Sequence, residues 1–361
     1  MSPAQRTRVA IVGTGGIARV GHLPALRAEA DRVELVAAVD LDAERVKEFC
    51  AEQGGPVPYT SLDRMLEEQR PDLVHLCTPP FAHAGQVAAC LAAGAWVWCE
   101  KPPCRSLAEY DEMTSGERPG GPYAAIVYQH RFGSGARHLR ELVVRGELGR
   151  PLVAQCVTAW YRGDDYFEAP WRGRWATEGG GPTMGHGIHQ MDLMLSILGD
   201  WDEVRAMTGT LDRRIETEDV SLAMVRFASG ALGSVVNSLL SPREESYLRF
   251  DFARATVELR HLYGYQNADW TYTPARAGPP DDVPSSHIAQ YTPLLDAVER
   301  GERPSASGAE GRQTLEFVTG LYASAHTGRA VLRSELTRDF PYYRRLNGID
   351  SEGLNPPGST S

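Results

Sequence analysis

The tightest constraint in this sequence is a glycine-rich turn set between an apolar strand and a helix. Arg8 to Val12 reads as a strand and runs directly into Gly13-Thr14-Gly15-Gly16-Ile17-Ala18. Ala18 to Glu29 then reads as a helix, with Pro24 a possible kink. Each small residue has a physical use. Gly13 permits the tight turn, Gly15 lets a pyrophosphate approach the backbone, and Ala18 allows close helix–strand packing. Phosphates then meet free N–H groups at the positive end of the helix dipole. Asp40 closes the next apolar run, Val33 to Val39, 22 residues after Ala18. A carboxylate there accepts hydrogen bonds from the adenosine ribose hydroxyls and repels a 2′-phosphate. The residues that follow it, Leu41 and Asp42, bring no cation. NAD is therefore expected over NADP.

The rhythm of the chain predicts two parts. Up to about Tyr128, apolar runs (Leu73–Cys77, Trp96–Cys99, Ala124–Tyr128) alternate with helical patterns such as Ala43–Gln53, Ser61–Glu68 and His83–Ala93. Alternation of this kind builds a parallel sheet covered on both faces. From about Leu152 the runs become strand after strand: Leu152–Tyr161, Glu203–Thr210, Val220–Phe227, Ala231–Leu239, Tyr247–Phe252 and Thr256–Arg260. Turns such as Ser229-Gly230 join them as hairpins. The expected fold is an α/β Rossmann domain (1–128) plus an α+β domain (129–340) with a large, mainly antiparallel, open-faced sheet. Helices over about 286–330 are expected to pack back on the first domain, and 351–361 to form a disordered polar tail.

Composition narrows the function classes. A length of 361 residues fits about two domains, and the 42% hydrophobic content is that of a globular chain. A formal net charge of −10 lacks the basic footprint of a nucleic-acid binder and suits an anionic membrane poorly. No apolar run reaches the ~20 residues of a membrane span, and no leader pattern precedes Val9. Six cysteines without a regular framework read as reduced thiols in a cytoplasmic protein.

Ligands of open α/β sheets bind beyond the carboxyl ends of the strands. Thr78-Pro79-Pro80 with His83, Glu100-Lys101-Pro102 and Gln129-His130-Arg131 are expected there. A lysine at a strand end beside a bound nicotinamide can hold the oxygen of a reacting alcohol or ketone. Composition alone leaves open that Lys101 is only an ion-pair partner of Glu100, and that His83 only starts a helix. The other dense feature is Glu178 to Asp192, with Gly179-Gly180-Gly181 followed by His186, His189 and Asp192. On a helix these three residues fan over one side, and a histidine is a natural proton acceptor near neutral pH. The spacing also admits a divalent metal or plain buried polar groups. No Cys or Glu sits beside it to complete a ligand set, so no metal is expected.

Taken in order, these motifs resemble the Gfo/Idh/MocA oxidoreductase family from Val9 to about Val331. Gly146-Glu147-Leu148-Gly149-Arg150-Pro151 and a helix in Gly308 to Ala330 add to the likeness. The resemblance implies that Lys101 is the catalytic lysine of the Glu-Lys-Pro motif and that His189 is the catalytic histidine. It implies a substrate contact for Asp192, and cofactor contacts for Thr78, Pro79, His83, Glu100, Gln129, Trp171 and Arg172. Many polyol-oxidising members carry an acid four residues before the histidine, where this chain has Gly185. Either His189 works without it, His186 replaces it, or the chemistry differs.

The expected activity is hydride transfer between NAD and a hydroxyl or keto carbon of a sugar, cyclitol or sugar derivative. His186, Tyr161, Arg174 and Trp175 are expected to join Asp192 at the substrate. Arg172 and Arg174 leave room for an acidic ring. The alternatives are a glycosidase or lyase using bound NAD for transient oxidation, and a non-catalytic dinucleotide sensor. A homodimer or homotetramer through the sheet's open face is expected.

Overall fold

The computed structural model describes residues 6–348, so the expected tail, 351–361, lies outside the described residues. The first sheet contains β1 (Thr7–Val12), β2 (Val33–Val39), β3 (Val57–Tyr59), β4 (Leu73–Leu76), β5 (Trp96–Cys99) and β6 (Ala124–Ile126). Its order is β3-β2-β1-β4-β5-β6, and every pair is parallel. Alternate residues of β1 feed two cores: Val9 and Ile11 one, Ala10 and Val12 the other. A continuous apolar run is what a strand covered on both faces requires. The strand order reverses between β1 and β4, and the glycine turn follows β1 at that switch point. Sequence reading missed β3. It is three residues long and contains Pro58, which an edge strand tolerates because it owes no donor on its free side.

The first helix is not continuous. A wide turn over Ala18–His22 precedes a helix over Leu23–Ala28, which carries Pro24 in its first turn. Pro24 has no backbone donor, so the chain restarts its helix there instead of bending through it. Ser61 caps the helix Leu62–Gln69 as expected, its hydroxyl accepting from Arg64 N.

The second sheet holds β7 (Pro151–Tyr161), β8 (Trp201–Gly209), β9 (Val220–Phe227), β10 (Leu232–Ser238), β11 (Leu240–Phe252), β12 (Thr256–Arg260), β13 (Trp270–Thr273) and β14 (Val331–Leu332). Its order is β13-β12-β11-β7-β10-β9-β8-β14. Neighbours are antiparallel except β7 and β10. The inner face packs on the helices Ile188–Leu198 and Gly308–Thr327. The outer face leaves Val153, Met207, Leu222, Met224 and Leu232 exposed. Strand β11 starts seven residues before the expected Tyr247 because its pairing with β7 is interrupted between Leu240 and Glu245.

The chain then returns to the first sheet. The helix His287–Arg300 packs on the turn Ala18–His22 and the helix Leu23–Ala28, and Tyr291, Leu294 and Leu295 join the core of Val9, Ile11 and Trp98. Among the described residues, no helix is long and apolar enough to cross a membrane.

Candidate active site

The glycine turn is shaped by what crowds it. Gly13 sits at φ +87°, and a Cβ there would stand 2.9 Å from the Cys77 carbonyl. Both facts demand glycine. Gly15 and Gly16 face open space, with nothing within 4 Å of an added Cβ. Asp40 ties this turn to the end of β2. Its Oδ2 accepts from Thr14 N (2.9 Å) and Thr14 Oγ1 (2.8 Å), and its Oδ1 accepts from Asp42 N (3.1 Å). Burial works to raise the Asp40 carboxyl, but these donors and Arg45 outweigh it and hold it below its ordinary value. Arg45, 3.5 Å from Asp40 Oδ1, is a cation that reading only the residues next to Asp40 overlooked. Thr14 and Ala18 serve the turn and its packing and do not line the cleft.

From this turn a cleft of about 1100 Å³ runs along the strand ends. One end is walled by Asp40, Leu41 and Arg45, and the middle by Gly13, Gly15, Gly16, Ile17, Thr78 and Pro79. The far end holds Lys101, Trp160, Arg162, Tyr166, Trp171, Arg172, Glu178 and His186. An open glycine backbone in the middle and a carboxylate at one end fit an adenine dinucleotide.

A second cavity of about 400 Å³ adjoins this cleft, lined by Gln129, His130, His189 and His287. Glu100, Lys101 and Tyr263 border both spaces. Lys101 Nζ donates to the Gly185 carbonyl at 2.9 Å. Burial lowers its pKa, and Arg172 adds to this against the pull of Glu100 and Glu178. His189 is held well below its ordinary value by burial first and by the Lys101 charge second. Its imidazole is therefore neutral near pH 7, and its Nδ1 has no protein partner. The rings of His130 and Tyr263 stand edge-on to it, with centroids 4.9 and 5.5 Å away.

Glu100 is pinned from two sides. Its Oε1 lies 3.1 Å from His22 Nε2 and 2.8 Å from His287 Nε2. Burial alone would raise its carboxyl, but the two imidazoles reverse this and hold it well below the usual carboxylate range. A Cβ at Gly21 would touch the His287 ring at 2.8 Å, so Gly21 makes room for that histidine. The donor atoms of His22, Glu100 and His287 lie within 4.8 Å of one another, a metal-ligating type of set that no sequence spacing displays. The carboxylate–imidazole separations are those of direct hydrogen bonds.

Several expected site residues lie elsewhere. Asp192 does not reach either cavity. It is buried in a two-pronged pair with Arg131 (2.6 and 2.6 Å) and accepts from Thr314 at 2.8 Å, so no lone carboxylate oxygen is left for a substrate. The three-residue fan fails because the helix begins at Ile188. His186 sits in the break before it, at φ −125°, and faces Trp160 and Tyr166 in the larger cleft. His83 is buried with both ring nitrogens on backbone carbonyls, Pro102 O at 2.8 Å and Thr78 O at 2.7 Å. It braces two cleft loops and has no atom free for a cofactor. Tyr161, Arg174 and Trp175 line neither cavity. Alternation along β7 sends Trp160 to the cleft and Tyr161 to the opposite face. Trp175 packs on Tyr322 and His326. Residues the sequence reading missed include Trp160, Arg162, Tyr166, Tyr263 and Glu178. The period-2 pattern of β7 was the one available signal, and it pointed to Trp160.

Comparisons with known proteins agree with this architecture. Residues 7–119 match a family model described as an oxidoreductase family with an NAD-binding Rossmann fold, and residues 136–259 match the GFO/IDH/MocA C-terminal domain. The chain is 27% identical over 349 residues to D-glucoside 3-dehydrogenase of Escherichia coli, covering 90% of this chain and 97% of that protein. It is 26% identical over 345 residues to myo-inositol 2-dehydrogenase of Thermotoga maritima, covering 91% and 99%. Among solved structures it resembles the WlbA dehydrogenase of Bordetella pertussis in complex with NADH and UDP-GlcNAcA. That match has a TM-score of 0.82 and 28% identity, and covers 91% of this chain and 99% of that one. The chain belongs to the Gfo/Idh/MocA family of NAD-binding oxidoreductases, whose relatives are named sugar and polyol dehydrogenases.

Proposed function

We propose that the protein is an NAD-dependent dehydrogenase or ketoreductase of a sugar, cyclitol or related ring, with Lys101 polarising the reacting oxygen and His189 moving its proton. The observation that carries this reading is the placement of Lys101 on the wall shared by the dinucleotide cleft and the cavity of His189. NAD, when bound, supplies the hydride acceptor or donor at its nicotinamide ring. The chain supplies the rest. The Lys101 ammonium stabilises negative charge growing on the substrate oxygen, an effect strengthened by burial. The neutral His189 imidazole accepts the hydroxyl proton during oxidation and returns it during reduction. Trp160, Tyr166, Trp171 and Tyr263 offer apolar faces on which a sugar ring can rest and from which water is excluded.

The cleft charges favour an uncharged ring over a uronate. Arg162 already faces Glu244 at 2.9 Å and Arg172 faces Glu178 at 3.2 Å. Asp40 supports NAD over NADP, with Arg45 beside it as the one counterweight. Six buried free cysteines fit a reducing, cytoplasmic setting. The exposed apolar residues of the second sheet support a homodimer or homotetramer joined through that face. The test is NADH formation with a panel of free sugars, glucosides and inositols, repeated with Lys101→Ala. Turnover by the wild type and none by the variant is expected. Undiminished turnover by the variant overturns the assignment.

A further inference from the structure

We propose that Glu178 is the carboxylate partner of Lys101, a positioning residue that acts across Gly185 to keep the ammonium protonated. This rests on the reading of Lys101 as the group that holds the reacting oxygen. Gly185 lies between the two charges. Its carbonyl accepts from Lys101 Nζ at 2.9 Å. A side chain added on its Cα would meet one atom within 4 Å, Glu178 Oε1 at 3.3 Å. The carboxylate of residue 178 thus stands against the volume that a side chain at 185 would fill.

Glu178 is 4% exposed, yet it lines the dinucleotide cleft. Its Oε2 accepts from Gly173 N at 2.6 Å, and its Oε1 faces Arg172 Nη1 at 3.2 Å. It therefore fixes the Trp171-Arg172 segment on one side while its Oε1 stands against Gly185 on the other, and Lys101 feels its charge. The charged groups around Lys101 are Glu100, Arg172 and Glu178, and the imidazoles of His130, His186 and His189 also feel its charge. Burial and Arg172 favour loss of the Lys101 proton, and the two carboxylates oppose it. Both carboxylates line the cleft, Glu100 sharing its charge with His22 and His287 and Glu178 with Arg172, and it is Glu178 that stands against Gly185, whose carbonyl holds the ammonium. Burial raises the Glu178 carboxyl, and Gly173 N, Arg172 and Lys101 oppose this. An ammonium that lost its proton at working pH would no longer stabilise an alkoxide.

The sequence makes a direct test possible, because Lys47 and Lys101 are its two lysines. Protein saturated with NAD and labelled with lysine bearing ¹³C at the ε carbon yields one resonance for each. Lys47, exposed and paired with Glu44, is the internal reference. In Glu178→Gln the Lys101 titration midpoint is expected to fall by about one pH unit with Lys47 unmoved, the shift expected on losing a nearby opposite charge. Glu178→Asp, which keeps the charge, is expected to stay close to wild type. Glu178→Gln combined with Gly185→Asp, which places a carboxylate on the other side of the same gap, is expected to recover the midpoint. An unchanged Lys101 midpoint in Glu178→Gln, or an equal shift of both lysines, overturns the proposal. Undiminished turnover by Lys101→Ala instead overturns the catalytic reading and leaves this titration result standing.

Discussion

The two ends of the large cleft are built in opposite ways. The dinucleotide end comes from one short stretch of chain, Gly13 to Ile17, closed by Asp40 on the neighbouring strand. The far end draws Lys101, Trp160, Trp171, Glu178 and Tyr263 from separate segments of both sheets and the loops between them. A local device works by backbone geometry and tolerates few residue types. A dispersed device works by side chains, and its chemistry can change without disturbing the fold that carries it.

That contrast implies a separation of effects. Lys101→Ala is expected to lower kcat by about 10³-fold, as loss of a charge that stabilises the transition state does, while NAD affinity by calorimetry stays within a few fold. Equal losses of NAD binding and turnover would show that the two ends are not separable. His189 sharpens the point through pH. Its folded pKa is displaced below 6.5, so it remains an unprotonated base at pH values where an ordinary histidine would already carry a proton. The acid limb of kcat/KM for substrate oxidation should therefore lie below that value. A limb at the ordinary imidazole value that disappears in His189→Gln would keep His189 as the base and overturn its lowered pKa, whereas an acid limb and turnover unchanged in His189→Gln would break the assignment.

At the other end, Asp40→Ala is expected to weaken NAD about tenfold, the scale of one charge-assisted hydrogen bond, and to narrow the preference against NADP. Arg45 is then free to meet a 2′-phosphate, so adding Arg45→Ala should restore part of that preference. The smallest effect is expected for Tyr161→Ala, less than about twofold in KM because its side chain lies on the exposed face of β7. Trp160→Ala, one residue away and facing the cleft, should raise KM about tenfold, in line with loss of one aromatic contact. Reversal of that order would mean the alternation of β7 has been assigned to the wrong face.

Legibility from sequence followed the same division. The Rossmann half could be read because strand, glycine turn, helix and acid occur at fixed local spacing. Strands Val220–Phe227 and Thr256–Arg260 were legible from alternation alone, and both have the expected bounds. The helix itself was legible at about Gly187 to Leu198 and runs from Ile188 to Leu198, but the fan of His186, His189 and Asp192 failed because the i+3 spacing carried His186 onto a helix that starts after it. The break falls at His186, and Gly187 after it lets the backbone lie close to β10, where a Cβ would meet Asn237 at 2.0 Å. Asp192 was assigned by resemblance to the substrate, but its partner Arg131 lies 61 residues away in sequence, a pairing no local pattern reveals. Glu178 was legible as the head of the glycine run but given no role, because its significance depends on the empty side of Gly185, which only three dimensions display.

His287 reaches the Glu100 carboxylate from the first turn of a helix that begins 187 residues later in the chain. Tyr291 from the same helix stacks on Trp98, with ring centroids 5.1 Å apart. The nucleotide half is thus completed by the closing third of the polypeptide. A nascent chain ending near Tyr128 would expose the indole of Trp98 and leave the buried acid without one of its imidazoles. Synthesis must proceed past β13 of the second sheet before the first one is sealed, and excising the nucleotide half as a portable module would remove part of its own wall.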